Sequence, residues 1–247
     1  MAVQTVFKRY ETKFMLTQAQ KQILVEELKP YMKPDAYGRT TVRNLYYDTD
    51  SYLLIRRSME KPVYKEKLRL RSYSRVEGDS QVFVELKKKY QSVVYKRRLV
   101  CPYREAISWL SGERKPEQDS QIAREIDYAL QLYGQLHPTV FLSYEREAYY
   151  ATDGSDLRLT FDDTILVRQK ELSLEAPPYG TPILPEGKVL MEVKSSGAIP
   201  LWLTRVLSRE RIYKTSFSKY ATAYRDLIFP QTHSVNPYHM QEVTSNA

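Results

Sequence analysis

One cysteine, three histidines and no long apolar run set the first limits on this 247-residue chain. With Cys101 alone, no internal disulfide can form and a thiolate metal cluster is excluded. His137, His233 and His239 show no metal-ligand spacing and read as surface residues. No apolar stretch approaches the ~20 residues that a membrane-spanning helix needs. The first nine residues also lack the apolar core of a signal peptide. A reducing, cytoplasmic setting is the expectation. Acidic residues are a minority as well: 30 Asp and Glu stand against 38 Lys and Arg, a net charge of +8. That balance favours an anionic partner such as nucleic acid, acidic lipid or a phosphate chain. Repeats, linkers and composition breaks are lacking too. One domain over 1–228, followed by a polar, flexible tail at 229–247, is the economical reading.

What is present is a period of two. In Tyr64-Lys-Glu-Lys-Leu-Arg-Leu-Arg-Ser-Tyr73, the cations Lys65, Lys67, Arg69 and Arg71 alternate with Glu66, Leu68 and Leu70. Alternation of this kind places the cations on one face of a β-strand and the leucines on the other. The habit recurs. Glu85, Lys87 and Lys89 alternate with Val84 and Leu86; Lys96 and Arg98 share a face, as do Tyr144 and Arg146, and Glu192 and Lys194. Arg158 is opposite in parity to Leu157, Leu159 and Phe161, and Arg9, Glu11 and Lys13 open the series. Like charges gathered on one face repel unless an anion sits among them. A polyanion-binding interior follows.

Turn and cap signals divide the chain further. A strand ending near Met15 meets a helix capped by Thr17 with Gln20 three residues on, and Ile23, Leu24 and Leu28 form its apolar face. A strand at 41–47 leads through Asp48-Thr-Asp50, a candidate N-cap, into a short helix ending at Ser58. Strands are expected at 63–74, 81–90, 93–100, 138–151, 156–168 and 188–195, with a loop over 175–187. Pro102 and Pro116 read as first-turn prolines of helices at 103–111 and 117–133. Two more helices fall at 201–211 and 216–227. About eight strands with covering helices predict an α+β fold: a closed eight-stranded antiparallel β-barrel whose bore is polar.

Seven short motifs, in order, resemble the VTC domain, the polyphosphate polymerase branch of the triphosphate tunnel metalloenzymes. They are Arg-Tyr-Glu-Thr-Lys at 9–13, Lys-Leu-Arg-Leu-Arg at 67–71, Glu-Leu-Lys at 85–87, Tyr-Glu-Arg at 144–146, Leu-Arg-Leu-Thr-Phe-Asp at 157–162, Met-Glu-Val-Lys at 191–194 and Phe-Ser-Lys-Tyr at 217–220. The resemblance implies an eight-stranded tunnel in which ATP extends inorganic polyphosphate. It implies phosphate-binding roles for Lys13, Arg69, Arg71, Lys87, Lys96, Arg146, Arg158 and Lys219. Tyr144 and Ser218 would add hydrogen bonds, Lys194 and Glu85 would line the bore, and Glu192 would hold a divalent metal, Mn²⁺ or Mg²⁺. Arg9 departs from the pattern: most tunnel triphosphatases carry a glutamate there, and its loss disfavours hydrolysis relative to transfer. ATP and inorganic polyphosphate are the expected partners, with translocation of product left to a separate membrane protein. A triphosphatase of the same fold and a non-catalytic polyphosphate-binding module remain open. A nucleic-acid binder is disfavoured, because alternation sends Lys87 and Lys89 one way and Lys88 the other.

Overall fold

The structure, a computed structural model, describes residues 10–91 and 93–232. Arg9, His233, His239 and most of the expected tail lie outside them. β1 (Tyr10–Thr17) runs directly into α1 (Gln18–Leu28). The junction is a complete capping box: the Thr17 hydroxyl accepts the Gln20 amide at 3.1 Å, and Gln20 Oε1 accepts the Thr17 amide at 2.8 Å. Leu24 and Leu28 are buried, but Ile23 is 39% exposed. The expected apolar face therefore loses Ile23, which sits about 100° around the helix from Leu24.

β2 (Met32–Pro34) and β3 (Thr40–Asp48) precede α2 (Leu53–Met59). Of the expected cap segment, Asp48 and Thr49 do the capping. The buried Asp48 carboxylate accepts the amides of Thr49, Leu54 and Ile55 at 2.8–3.0 Å, and Thr49 Oγ1 accepts that of Leu53. Asp50 instead lies 3.2 Å from His137. Then come β4 (Tyr64–Ser72), β5 (Gln81–Tyr90), β6 (Val93–Pro102), α3 (Tyr103–Leu110) and α4 (Gln121–Tyr133). Pro116 does not open α4. Ser120 does, its hydroxyl accepting the Ala123 amide at 3.1 Å, so the helix starts later than the proline predicts.

The chain continues through β7 (His137–Ala151), β8 (Arg158–Arg168), β9 (Thr181–Pro182) and β10 (Lys188–Ser195). It ends with α5 (Leu201–Arg209), β11 (Lys214–Thr215), α6 (Lys219–Ala223), a π-helical turn at Tyr224–Ile228 and α7 (Phe229–Thr232), so the first residues of the expected tail are helical. The 175–187 segment is more than a loop, because β9 within it pairs with β8. Gly180 permits the approach: at φ +149° a Cβ there would meet the Val167 carbonyl oxygen at 2.4 Å. The Arg168 guanidinium anchors the same segment, donating to carbonyls of Lys170, Glu171, Ser173, Pro177 and Tyr179 between the rings of Phe141 and Tyr179.

All strands join one antiparallel sheet in the order β11-β1-β10-β8-β7-β3-β4-β5-β6, with β2 added to β7 and β9 to β8. The expected closed eight-stranded barrel is not formed. β1 has β10 on one edge, and its other edge is taken at Lys13 and Phe14 by β11, so β6 finds no ladder partner there. The α+β class stands; the sheet is open and curled.

Its outer face carries the apolar side of each strand. Leu45, Leu68, Leu70, Val84 and Leu86 pack under Trp109 of α3 and Ile126 of α4. Phe14, Leu16, Leu159, Phe161 and Met191 pack under Leu24 of α1 and Leu203 of α5. Each such side chain contributes roughly 1.5–3 kcal/mol when fully buried. A third cluster fills one end of the inner face, where Val42, Tyr46, Val140, Leu142 and Leu190 meet Tyr220, Ala223, Tyr224 and Ile228. A bulge sets its limit: Thr164 at φ +47° shifts the β7–β8 register. Before it, Arg158, Thr160 and Asp162 face inward; after it, Ile165 and Val167 do. No helix among the described residues is long and apolar enough to cross a membrane.

Asp48 also accepts the Tyr220 hydroxyl at 3.0 Å, tying β3, α2 and α6 together. Asp48→Ala leaves those buried donors without an acceptor and should lower the unfolding free energy by about 2–4 kcal/mol, measured by urea denaturation.

Candidate phosphate-binding site

Register brings the alternating cations into rows. Across β4, β5 and β6, Lys67 lies opposite Lys87 and Lys87 opposite Lys96; in the next row Arg69, Glu85 and Arg98 align. Glu85, 1% exposed, is the hub of this wall. It accepts Arg69 Nε and Nη2 at 2.8 and 2.6 Å and Arg98 Nε at 2.7 Å, with Lys96 at 2.9 Å and Arg71 at 3.8 Å. Burial pushes its carboxyl up. Arg69, Arg71, Lys96 and Arg98 more than offset that and hold it far below the usual carboxylate range. Arg71 extends the wall toward β3 and β7, donating to Asn44 Oδ1 at 2.9 Å and to the Tyr144 hydroxyl at 3.3 Å. Arg69 Nη1 reaches the Tyr46 hydroxyl at 3.1 Å.

A second wall faces the first. Arg146 forks onto Asp162 at 2.6 and 2.7 Å, and Lys219 binds Asp162 at 2.5 Å and Glu192 at 3.3 Å. Lys194 approaches Glu192 at 3.2 Å, Lys13 at 3.5 Å and Arg146 at 3.6 Å; Glu11 is 3.2 Å from Lys13. Burial raises the Glu192 carboxyl, but Lys219, Lys194, Lys13 and Arg146 outweigh it, and the group stays ionised far below its ordinary range. Burial likewise disfavours the Lys219 ammonium, yet Asp162 and Glu192 leave it above the usual lysine value. Lys219 and Arg146 also lie against the Tyr144 ring, at 4.5 and 5.0 Å. The walls face one another: Lys67 Nζ of β4 donates at 3.3 Å to the hydroxyl of Ser218, the residue before Lys219.

The walls differ in charge. The β4–β6 wall presents Lys67, Arg69, Arg71, Lys87, Lys96 and Arg98 around the single carboxylate of Glu85. The opposite wall sets Lys13, Arg146, Arg158, Lys194 and Lys219 against Glu11, Asp162 and Glu192. Both walls carry excess positive charge, six cations to one carboxylate on the first and five to three on the second, so an anion is drawn most strongly to the first. Burial first, and like charge second, weaken the hold of the lysines on their protons. Burial, then Lys87, Lys65, Lys13 and Arg69, pushes Lys67 down to about 7. Burial takes Lys96 to about 8 despite Glu85, and Lys87 is lowered chiefly by burial despite Glu11.

The cleft thus gathers Lys13, Arg69, Arg71, Lys87, Lys96, Arg146, Lys194, Lys219, Tyr144, Glu85 and Glu192. Ser218 is also there, capping α6 through the Ala221 amide while accepting Lys67 Nζ at 3.3 Å. Arg158 shares the inner face but stands at its end, over the Tyr150 ring at 4.8 Å, with a buried Nε lacking a hydrogen-bond partner. The resemblance gave no role to Lys67, Arg98 or Asp162, although Lys67 and Asp162 stand inside its motifs. Strand parity was the signal for Lys67 and Arg98; for Asp162 it was the same parity as Arg158. Two cavities of about 390 and 240 Å³ lie elsewhere, one around the mutually paired Lys21, Arg39 and Asp163, the other around His137 and Tyr52. Neither overlaps this charged cleft. Among the described residues no three Asp, Glu, His or Cys side chains close around a metal ion. Both oxygens of Glu192 face ammonium or guanidinium groups, so a hard cation held there would have to take most of its ligands from phosphate oxygens.

The family model for the VTC domain matches residues 8–228 of this sequence. The chain belongs to the VTC domain family. No curated protein matches this VTC domain. Among solved structures, a candidate adenylate cyclase from Bacillus halodurans is 15% identical, covers 86% of this chain and 94% of its own, and superposes with a TM-score of 0.53. That similarity is one of fold. The PH1819 protein of Pyrococcus horikoshii (14% identical, 92% and 99% covered) gives 0.46, and a candidate adenylate cyclase from Vibrio parahaemolyticus (10%, 89% and 98%) gives 0.45. Family and cleft together make this VTC domain a polyphosphate-related or triphosphate-binding protein.

Two outcomes follow from the charge layout. Glu85→Gln strips the first wall of its carboxylate, so its melting temperature should fall at low salt and recover on adding tripolyphosphate. Between about pH 7 and 9 the unfolded chain holds more protons than the folded one at Lys67 and Lys96. Tyr73 acts in the same direction: burial raises it, but Arg71 and Arg98 bring it down to about 8. The strain is fully present below pH 7 and is relieved as pH rises, so ligand-free protein should melt higher at pH 9 than at pH 7.

Proposed function

We propose that this VTC domain is an ATP-dependent polyphosphate polymerase, transferring the γ-phosphate of ATP to a growing inorganic polyphosphate chain. The observation that supports it is the pairing of an anion-seeking wall with a carboxylate-bearing wall across one cleft. Phosphoryl transfer asks for little covalent help; positioning and charge neutralisation do most of the work. Arg69, Arg71, Arg146 and Arg158 grip phosphate oxygens through forked donors, and Lys13, Lys87, Lys96, Lys194 and Lys219 neutralise others. Tyr144 and Ser218 add hydroxyl contacts. Glu192 would hold Mn²⁺ or Mg²⁺, which when bound supplies Lewis-acid neutralisation of phosphate charge. A terminal oxygen of the chain attacks the γ-phosphorus in line, the bond to the β–γ bridging oxygen breaks, and ADP leaves. That nucleophile is already anionic near neutral pH, so no side-chain base is required. Translocation of the product would fall to a membrane partner.

Purified protein incubated with ATP and Mn²⁺ should yield chains that lengthen with time on a polyphosphate-stained gel. Orthophosphate release without chain growth would make the protein a triphosphatase, and binding of polyphosphate without turnover would make it a binding module. Glu192→Gln should abolish metal-dependent chain growth while circular dichroism stays unchanged; retained activity would remove Glu192 from this role.

A further inference from the structure

The cations on either side of the Lys67–Lys87–Lys96 row lean on Glu85 or on Glu192 and Asp162. Lys67 does not. On its own strand it faces Lys65 and Arg69, across the ladder Lys87, and across the cleft Lys13. Among the described residues, what it meets from α6 is the Ser218 hydroxyl at 3.3 Å and the Tyr220 ring at 5.9 Å. Directly opposed like charges on neighbouring strands destabilise each other, and strands lie only about 4.8 Å apart. An ammonium carries three donors, and Ser218 takes one of them. Lys67 is therefore a half-buried donor group set among cations, with Ser218 its one hydrogen-bond acceptor among the described residues.

We propose that Lys67 is a phosphate-binding residue of this cleft, and that a phosphate chain binding there draws a proton from solution onto the lysine amine. The inference rests on the reading that the cleft takes phosphate chains, and adds a residue and a linked proton to it. Phosphoryl oxygens supply the negative charge that Lys67 lacks, so the amine recovers its proton as the anion enters; no covalent bond changes. The low proton affinity of Lys67, and of Lys96 and Lys87 beside it, fits this coupling. Affinity for the chain then falls as pH rises, although interior phosphates of polyphosphate keep one charge each throughout.

Isothermal titration of the whole chain with long inorganic polyphosphate tests this, at about pH 7.5 in buffers of different ionisation heat. Wild type should take up about one proton per site. Lys67→Met should bind about tenfold more weakly and lose the larger part of that uptake. Lys67→Arg, charged at every pH, should keep the affinity and lose the same share of uptake. Wild-type binding without proton uptake overturns the inference alone, as does uptake undiminished in both variants or undiminished affinity in Lys67→Met. Absence of any wild-type binding overturns the polyphosphate reading itself.

Discussion

Repulsion among cations collected on one face of a curled sheet governs this molecule. Alternation along β4, β5 and β6 leaves the basic side chains no other direction once Leu68, Leu70, Val84 and Leu86 are committed to the helix-covered face. The fold tolerates the crowding by burying a few carboxylates among them. Glu85 serves one wall; Asp162 and Glu192 serve the other. A buried carboxylate bound to several cations is costly to desolvate but far costlier to remove, because its partners would then be left unopposed. Neutralisation is deliberately incomplete on the β4–β6 side. The residual positive field there is the property from which ligand choice follows.

Much of this was legible in the sequence because period two is a strong signal. Parity alone assigned Lys67, Arg69, Arg71, Lys87, Lys96 and Arg98 to one face, and the ladders place them together. The Thr17–Gln20 capping box fixed the start of α1 for a local reason, needing no tertiary information. Closure was illegible. Whether β6 meets β1 depends on β11, a two-residue strand with no periodicity to read. The bulge at Thr164 was hidden as well, since a threonine inside a strand gives no sign of a positive φ. Pro116 misled because a proline can precede a helix without opening it, and Ser120 offered the better cap.

Positions of the functional groups also show why motif comparison and physical reading complement each other. Motifs named the residues of the second wall that alternate less regularly, such as Lys219 on a short helix and Tyr144 beside a register shift. Strand parity added Lys67 and Arg98, and the fold adds neighbours to which neither reading gave a role. Asp162, completely buried, orients both Arg146 and Lys219, and Asn44 orients Arg71 while its amide donates to the Leu142 carbonyl. These groups touch the gripping side chains and aim them.

The missing ladder between β6 and β1 carries a mechanical consequence. A closed barrel fixes its diameter through strand number and shear. Here the segment after β11 spans the cleft instead: the Phe217 carbonyl accepts Lys13 Nζ of β1, and the Ser218 hydroxyl accepts Lys67 Nζ of β4. Separation of the margins is thus set by side-chain contacts and by the repulsion of Lys13 for Lys67 and Lys87 rather than by a continuous belt of backbone hydrogen bonds. A guest bearing negative charge along its length would offset that repulsion and act as the clasp between the two margins.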